Sequence, residues 1–299
     1  MKPDAHHTGH ATISEMEWST FPSRREMGEA SARAAAEALR SAIQREGRVA
    51  VIFASAVSQN EFLDALAADK SIDWSRVTAF HMDEYIGIAS GHPASFRRFL
   101  NERLWSRVTP SVFHELQGDS PDIDTEIERY SDLLDRERPS IVFAGIGENG
   151  HLAFNDPPVD FNDSQAVRVV HLDEVCRMQQ VHDGAFAHIM DVPPTALTLT
   201  VPALMRAQKI VLNVPGRNKA EAVRRTVEGL VTPECPASIL QQHANAALYL
   251  DTDSACLLQQ PSGTTSDKQR VDGTAGAGEE LGPVGEDSRP TRSSGSPAL

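Results

Sequence analysis

Residues 48–82, RVAVIFASAVSQNEFLDALAADKSIDWSRVTAFHM, decide the fold. Arg48–Ala54 is a short unbroken apolar run, the mark of a strand buried on both faces. Ser58-Gln59-Asn60-Glu61 follows as a capping box, in which a hydroxyl accepts from an amide three residues on and a carboxylate reaches back. It opens a helix through Leu66. Val77–Met82 is the next buried strand. Strand, helix and strand in this order form a βαβ unit, and its two strands run parallel.

The same alternation continues on both sides. Upstream, Ser23-Arg24-Arg25-Glu26 is another capping box, and the Ala-rich helix after it stops at Gly47. Downstream, a helix over Ser95–Trp105 precedes strands at Ser140–Ala144, Val167–His171, Leu197–Val201 and Lys209–Val214. Lys219–Glu228 reads as a helix and Ala246–Leu250 as a last strand. The expectation is an α/β fold: a mostly parallel, doubly wound, Rossmann-like sheet with helices on both faces. No linker interrupts residues 16–258, which read as a single domain. Residues 1–15 are polar and His-rich, and residues 259–299 are rich in Gly, Pro, Ser and Thr without an aromatic side chain. Neither end offers enough apolar surface to offset its chain entropy, so both are expected to be disordered.

Composition narrows the function. The 299 residues hold 28 basic and 42 acidic side chains, a formal charge of −14. Such a balance leaves no basic footprint for nucleic acid or an anionic membrane. No apolar run approaches the roughly 18 residues of a membrane span, and the first residues lack the apolar core of a signal peptide. Cys176, Cys235 and Cys256 are odd in number and widely spaced, which fits neither a disulfide framework nor a zinc knuckle. A cytoplasmic protein with no metal site is the expectation.

In open parallel sheets, ligands bind at the carboxyl ends of the strands. The segments there are Ser55-Ala56-Val57-Ser58, Asp83-Glu84-Tyr85, Gly145-Ile146-Gly147-Glu148-Asn149-Gly150-His151 and Pro215-Gly216-Arg217-Asn218-Lys219. Together they bring a carboxylate, an imidazole, hydroxyls and an ammonium group to one edge, a set suited to proton transfer on an anionic small molecule. Gly145-x-Gly147-x-x-Gly150 matches the dinucleotide fingerprint, but it lies late in the chain and leads into a proline turn rather than a helix, so it argues little for NAD.

His81-Met82-Asp83-Glu84-Tyr85, followed by Gly145 through Pro157 (GIGENGHLAFNDP), resembles the glucosamine-6-phosphate deaminase (isomerase) family, which shares its fold with the 6-phosphogluconolactonases. Thr195–Thr198, Pro215–Ala220 and Ser238–His243 resemble further family segments in order. The likeness spans about residues 20 to 255. It implies ring opening of an amino-sugar phosphate, aldose–ketose isomerisation and loss of ammonia, with no metal and no redox cofactor. Asp83 is then the base that moves a proton between C2 and C1, and His151 the group that opens the ring. Asp156 matches a glutamate that assists the histidine; it is one methylene shorter, which puts a direct contact in question. Lys219 matches a phosphate-binding lysine, and Arg177 is the best match for a phosphate-binding arginine on the segment after the histidine loop.

Two departures from the family stand out. Asn149 occupies the place of an aspartate that would orient the imidazole; an amide can hold the ring but brings no charge. Asn149 also suits a left-handed turn before Gly150. The glycine-rich phosphate turn is replaced by Ser55–Asn60, where the hydroxyls of Ser55 and Ser58 and the helix amides remain as phosphate partners; Ser58 also reads as the cap of its helix. The resemblance further implies a tendency to form homo-oligomers. The alternatives on the same scaffold are a 6-phosphogluconolactonase-like hydrolase and a non-catalytic sugar-phosphate-binding protein.

Overall fold

The computed structural model describes residues 16–259. The expected leader over 1–15 and nearly all of the expected tail over 259–299 lie outside the described residues. Ten strands and seven helices are arranged along the described chain as β1 (Glu17–Phe21), α1 (Arg24–Glu46), β2 (Val49–Phe53), α2 (Asn60–Ala68), β3 (Val77–His81), β4 (Asp83–Tyr85), α3 (Phe96–Leu100), β5 (Val112–His114), α4 (Ile123–Glu137), β6 (Ile141–Ala144), β7 (Val167–His171), α5 (Glu174–His182), β8 (Thr195–Leu199), α6 (Val201–Met205), β9 (Lys209–Val214), α7 (Ala220–Glu228) and β10 (Ala246–Asp251). Three-residue turns of 3-10 helix, such as Val57–Gln59 and Arg217–Lys219, link several of them.

Seven strands form one sheet in the order β1-β10-β9-β6-β2-β3-β5, and every pairing in it is parallel. Both faces are covered, as the apolar runs require. Val49, Val51 and Phe53 of β2 pack with α1, α2 and Leu100 of α3, while Ala50 and Ile52 pack with Tyr130 of α4 and Val223 of α7. The period-two alternation thus sorts one strand between two cores. The chain leaves β2 for β3 on one side and returns through β6 on the other. The crevice above β2 and β6 is therefore the switch point at which such sheets bind ligands.

A second sheet, β4-β8-β7, is antiparallel and was not expected from the sequence. It begins two residues after β3, so His81-Met82-Asp83 carries the chain from one sheet into the other. The Leu199 amide donates to the Met82 carbonyl at 2.8 Å and stitches the sheets together.

The capping box at Ser23 forms: the Glu26 amide donates to Ser23 Oγ at 3.2 Å, and α1 stops at Gly47, whose φ of +74° suits glycine. The one at Ser58 does not. A 3-10 turn intervenes, Gln59 takes the cap position without a side-chain bond, and α2 runs on to Ala68. Glu61 instead pairs with Arg24 of α1 at 3.1 Å. No helix among the described residues is long and apolar enough to cross a membrane.

Helices α1 and α2 touch at Gly28, where an added Cβ would sit 2.7 Å from the Glu61 backbone. Gly28→Ala is expected to destabilise the fold by about 1–3 kcal/mol through overpacking, measured as a lower urea midpoint at unchanged slope. A loss below about 0.5 kcal/mol would mean that the helices move apart freely.

Candidate active site

A cleft opens over the carboxyl ends of the central strands. Its walls include Ser55 and Ser58 after β2, Asp83 after β3, Gly145, Gly147 and His151 after β6, and Gly216 and Lys219 after β9. The four loops that the sequence placed at one edge do converge.

Asp83 is held through its own backbone, by the His81 side chain, and left alone at its carboxylate. The fully buried His81 donates from Nδ1 to the Asp83 carbonyl at 2.9 Å, while its Nε2 accepts from the Leu116 amide at 2.8 Å. This fixes one neutral tautomer, and burial pushes the ring's pKa down to about 3. On the other side, Glu84 accepts from the Ser95 hydroxyl and from the amides of Phe96 and Arg97 at the start of α3. The Asp83 carboxylate accepts no hydrogen bond among the described residues. Burial first, and the nearby Glu84 charge second, raise its pKa well above the usual carboxylate range.

His151 is oriented by Asp156, whose Oδ1 lies 3.0 Å from Nδ1. The shorter aspartate therefore reaches the ring directly. It leaves Nε2 as the uncommitted nitrogen when the ring is neutral. Asp156 also accepts from the Asn149 amide at 2.9 Å and from the Asp173 backbone amide at 3.1 Å. Burial works to raise its pKa, but these bonds, with the imidazole's charge, outweigh burial and lower it.

Asn149 does not act as the sequence suggested. It does not touch the imidazole: its Oδ1 accepts from the His151 backbone amide at 3.0 Å, and its Nδ2 donates to Asp156 and to Asp173. It is not a left-handed turn residue either; that backbone conformation belongs to Gly150, at φ +92°. The other glycines of the fingerprint serve close packing. A Cβ on Gly147 would lie 2.2 Å from His151 Nε2, and one on Gly145 would lie 3.1 Å from Gln59 Nε2. Gly147 clears space for the His151 ring, Gly145 for Gln59 and Gly150 for Cys235, which explains the motif by packing and turn geometry.

The cleft also holds polar groups from the loops after β2 and β9. Lys219 is 4% exposed and its Nζ has no hydrogen-bond partner; the buried Ser55 Oγ has none either. Burial lowers the lysine's pKa, opposed by the charges of Asp183 and Glu148. Ser58 Oγ accepts only from Gln59 Nε2, at 3.1 Å. Arg177 is not brought into the cleft: its guanidinium donates to the carbonyls of Ile189 and Val192. Helix α5 contributes Gln179, Gln180 and Asp183 to the wall instead. Gln180 is fixed by the Tyr85 hydroxyl at 2.7 Å, and Gln179 Oε1 accepts from the Glu148 amide at 2.9 Å.

Sequence reasoning missed these glutamines, Asp183 and Arg24, which also lines the cleft. The start signal of α5, Asp173 capping the Cys176 amide, was present in the sequence; nothing local marks Arg24.

The sequence pattern of a family described as glucosamine-6-phosphate isomerases/6-phosphogluconolactonase matches residues 22–249. A glucosamine-6-phosphate deaminase of Exiguobacterium sp. is 38% identical over 185 residues, covering 62% of this chain and 71% of that protein. A solved monomeric glucosamine-6-phosphate deaminase superposes with a TM-score of 0.75 at 28% identity, over 81% of this chain and 100% of that one. A 6-phosphogluconolactonase of Trypanosoma brucei superposes at 0.68 with 16% identity, over 82% and 99%, which shows a shared fold.

The position of Asn149 yields a prediction. Asn149→Asp replaces two donated bonds with a third carboxylate beside Asp156 and Asp173. A loss of about 2–4 kcal/mol is expected at neutral pH. Crowding raises the folded-state pKa values, so the deficit grows as pH rises through them and shrinks at lower pH. Urea unfolding at pH 5 and pH 7.5 checks this; a variant as stable as the parent at both would remove Asn149 from the network.

Proposed function

The chain belongs to the glucosamine-6-phosphate isomerase/6-phosphogluconolactonase family, and we propose that it is a glucosamine-6-phosphate deaminase, converting glucosamine 6-phosphate and water to fructose 6-phosphate and ammonia. The observation that carries this reading is one cleft holding a buried carboxylate without partners, a histidine–carboxylate pair and an unpartnered buried ammonium. Deaminase relatives at 34–38% identity support it.

The roles follow from chemistry. His151, with Asp156 accepting from Nδ1, transfers a proton between the anomeric hydroxyl and the ring oxygen through Nε2, which opens the pyranose. Asp83 takes the proton from C2 to give an enolamine and returns one to C1, which leaves a ketimine. Water adds to C2, the C–N bond breaks and ammonia leaves. A base whose charged form is poorly solvated is a stronger base, which is the use of Asp83's lack of partners. Lys219, Ser55, Ser58 and the amides after β2 hold the phosphate. Arg177 is left out of this assignment. Asn149 serves as a brace for the loop and for Asp156, so the carboxylate beside the ring comes from Asp156 alone.

Ammonia release from glucosamine 6-phosphate is the direct test. Saturable binding without release would favour a sugar-phosphate sensor, and release of acid from a phosphogluconolactone would favour the hydrolase.

Asp83→Asn is expected to lower kcat by about 10²–10⁴ with little change in KM. It should also raise stability at neutral pH. The folded-state pKa of Asp83 lies above its unfolded value, so the wild type loses stability as pH rises from the unfolded toward the folded pKa, and an amide escapes that loss. A variant that keeps half its activity would overturn the role. A variant less stable than the parent at pH 7.5 would mean that the carboxylate has a structural partner.

A further inference from the structure

We infer that Arg24, in the first turn of α1, is the second cationic ligand of the substrate's phosphate. The inference rests on the phosphosugar reading above. Among the described residues the cleft is lined by three basic side chains, Arg24, His151 and Lys219. His151 is committed to Asp156. A phosphate monoester, with a second pKa near 6, is mostly a dianion at neutral pH. Lys219 alone leaves one of its charges uncompensated.

The element expected to bring an arginine does not. Helix α5 presents Gln179, Gln180 and Asp183 to the cleft, and Arg177 is spent on two backbone carbonyls. Arg24 arrives from another direction. Its Nε and Nη2 are held by the Glu61 carboxylate at 3.1 and 3.2 Å, and Nη2 also donates to the Val57 carbonyl at 3.1 Å. Nη1 has no partner among the described residues. The guanidinium is thus fixed against the Ser55–Ser58 loop by Glu61, with Nη1 left as a charge-assisted donor for a phosphate oxygen. Gly28, one helical turn further, lets α1 approach α2 closely enough for this contact.

Asp183, on the cleft wall, feels the charge of both cations. Burial and Glu148 raise its pKa, while both Lys219 and Arg24 oppose the rise. Arg24 and Lys219 line the same cleft, one from the start of α1 and one from the turn after β9, and the unpartnered Ser55 hydroxyl lines it as well. The role of Glu61, which is free of capping duty, is to aim the arginine.

Two measurements test this on the full chain. The first is the melting-temperature rise caused by inorganic phosphate. The second is steady-state kinetics on glucosamine 6-phosphate. Arg24→Ala is expected to abolish most of the phosphate-induced rise and to increase KM about 10- to 100-fold with kcat changed less than about threefold. Arg24→Lys, which keeps the charge but loses the two-point hold by Glu61 that aims the free nitrogen, should fall between. Glu61→Gln should weaken phosphate binding more mildly. The Arg24–Glu61 pair is partly exposed and contributes little to stability, so the ligand-free variants should melt near the parent. Unchanged phosphate stabilisation and unchanged KM in Arg24→Ala would overturn the inference and leave the deaminase reading intact. Loss of phosphate stabilisation in that variant, from a parent that releases no ammonia, would uphold the inference and defeat the deaminase reading.

Discussion

The histidine loop hangs on one carboxylate. Asp156 accepts from the His151 ring, the Asn149 side chain and the Asp173 backbone, and these three donors come from both ends of the segment between β6 and α5. Because Oδ1 takes the ring nitrogen and Oδ2 the start of α5, the angle of the imidazole and the position of the helix are set by the same group. Helix α5 in turn carries Gln179 and Gln180, which are tied to Glu148 and Tyr85. Removing the Asp156 charge would loosen a wall of the cleft as well as the ring. The methylene that Asp lacks relative to the family's glutamate costs no contact here.

The cleft separates its charges. Asp83 sits with burial and a like charge and no donor, while Asp156 is rich in donors and stays ionised. Two aspartates from separate motifs thus have pKa values shifted in opposite directions, set by burial and hydrogen bonds and not by residue type. The other basic side chains of the cleft, Arg24 and Lys219, come from the start of α1 and from the turn after β9.

Much of this was legible. Long apolar runs gave β2, β3, β6 and β9, because strands covered on both faces need apolar residues at every position. The loops after them followed from parallel topology alone. What escaped was short or polar. Strand β1, EWSTF, is an edge with a mixed burial pattern, and β5 has only three residues. Strand β4 is the Asp83-Glu84-Tyr85 motif itself, whose charges disguise it; Glu84 is tolerated at full burial because Ser95, Phe96 and Arg97 all donate to it. Helix α4 was visible in principle, with Asp122 capping the Thr125 amide ahead of Ile123, Ile127 and Tyr130.

The capping box at Ser58 failed for a reason that also explains the site. Spacing alone makes Glu61 a capping residue, yet capping competes with any cation that tertiary structure brings near. Arg24 lies far away in the chain, so no local pattern could announce it; only the close approach of α1 at Gly28 places it there. A charge-assisted pair outcompetes a reciprocal cap between neutral and charged groups, and the loop at Ser55–Ser58 is released from helix capping. Its hydroxyls then face the cleft, where Ser55 finds no partner in the protein. The release of the Ser55–Ser58 loop and the aim of Arg24 both follow from the same contact between two helices.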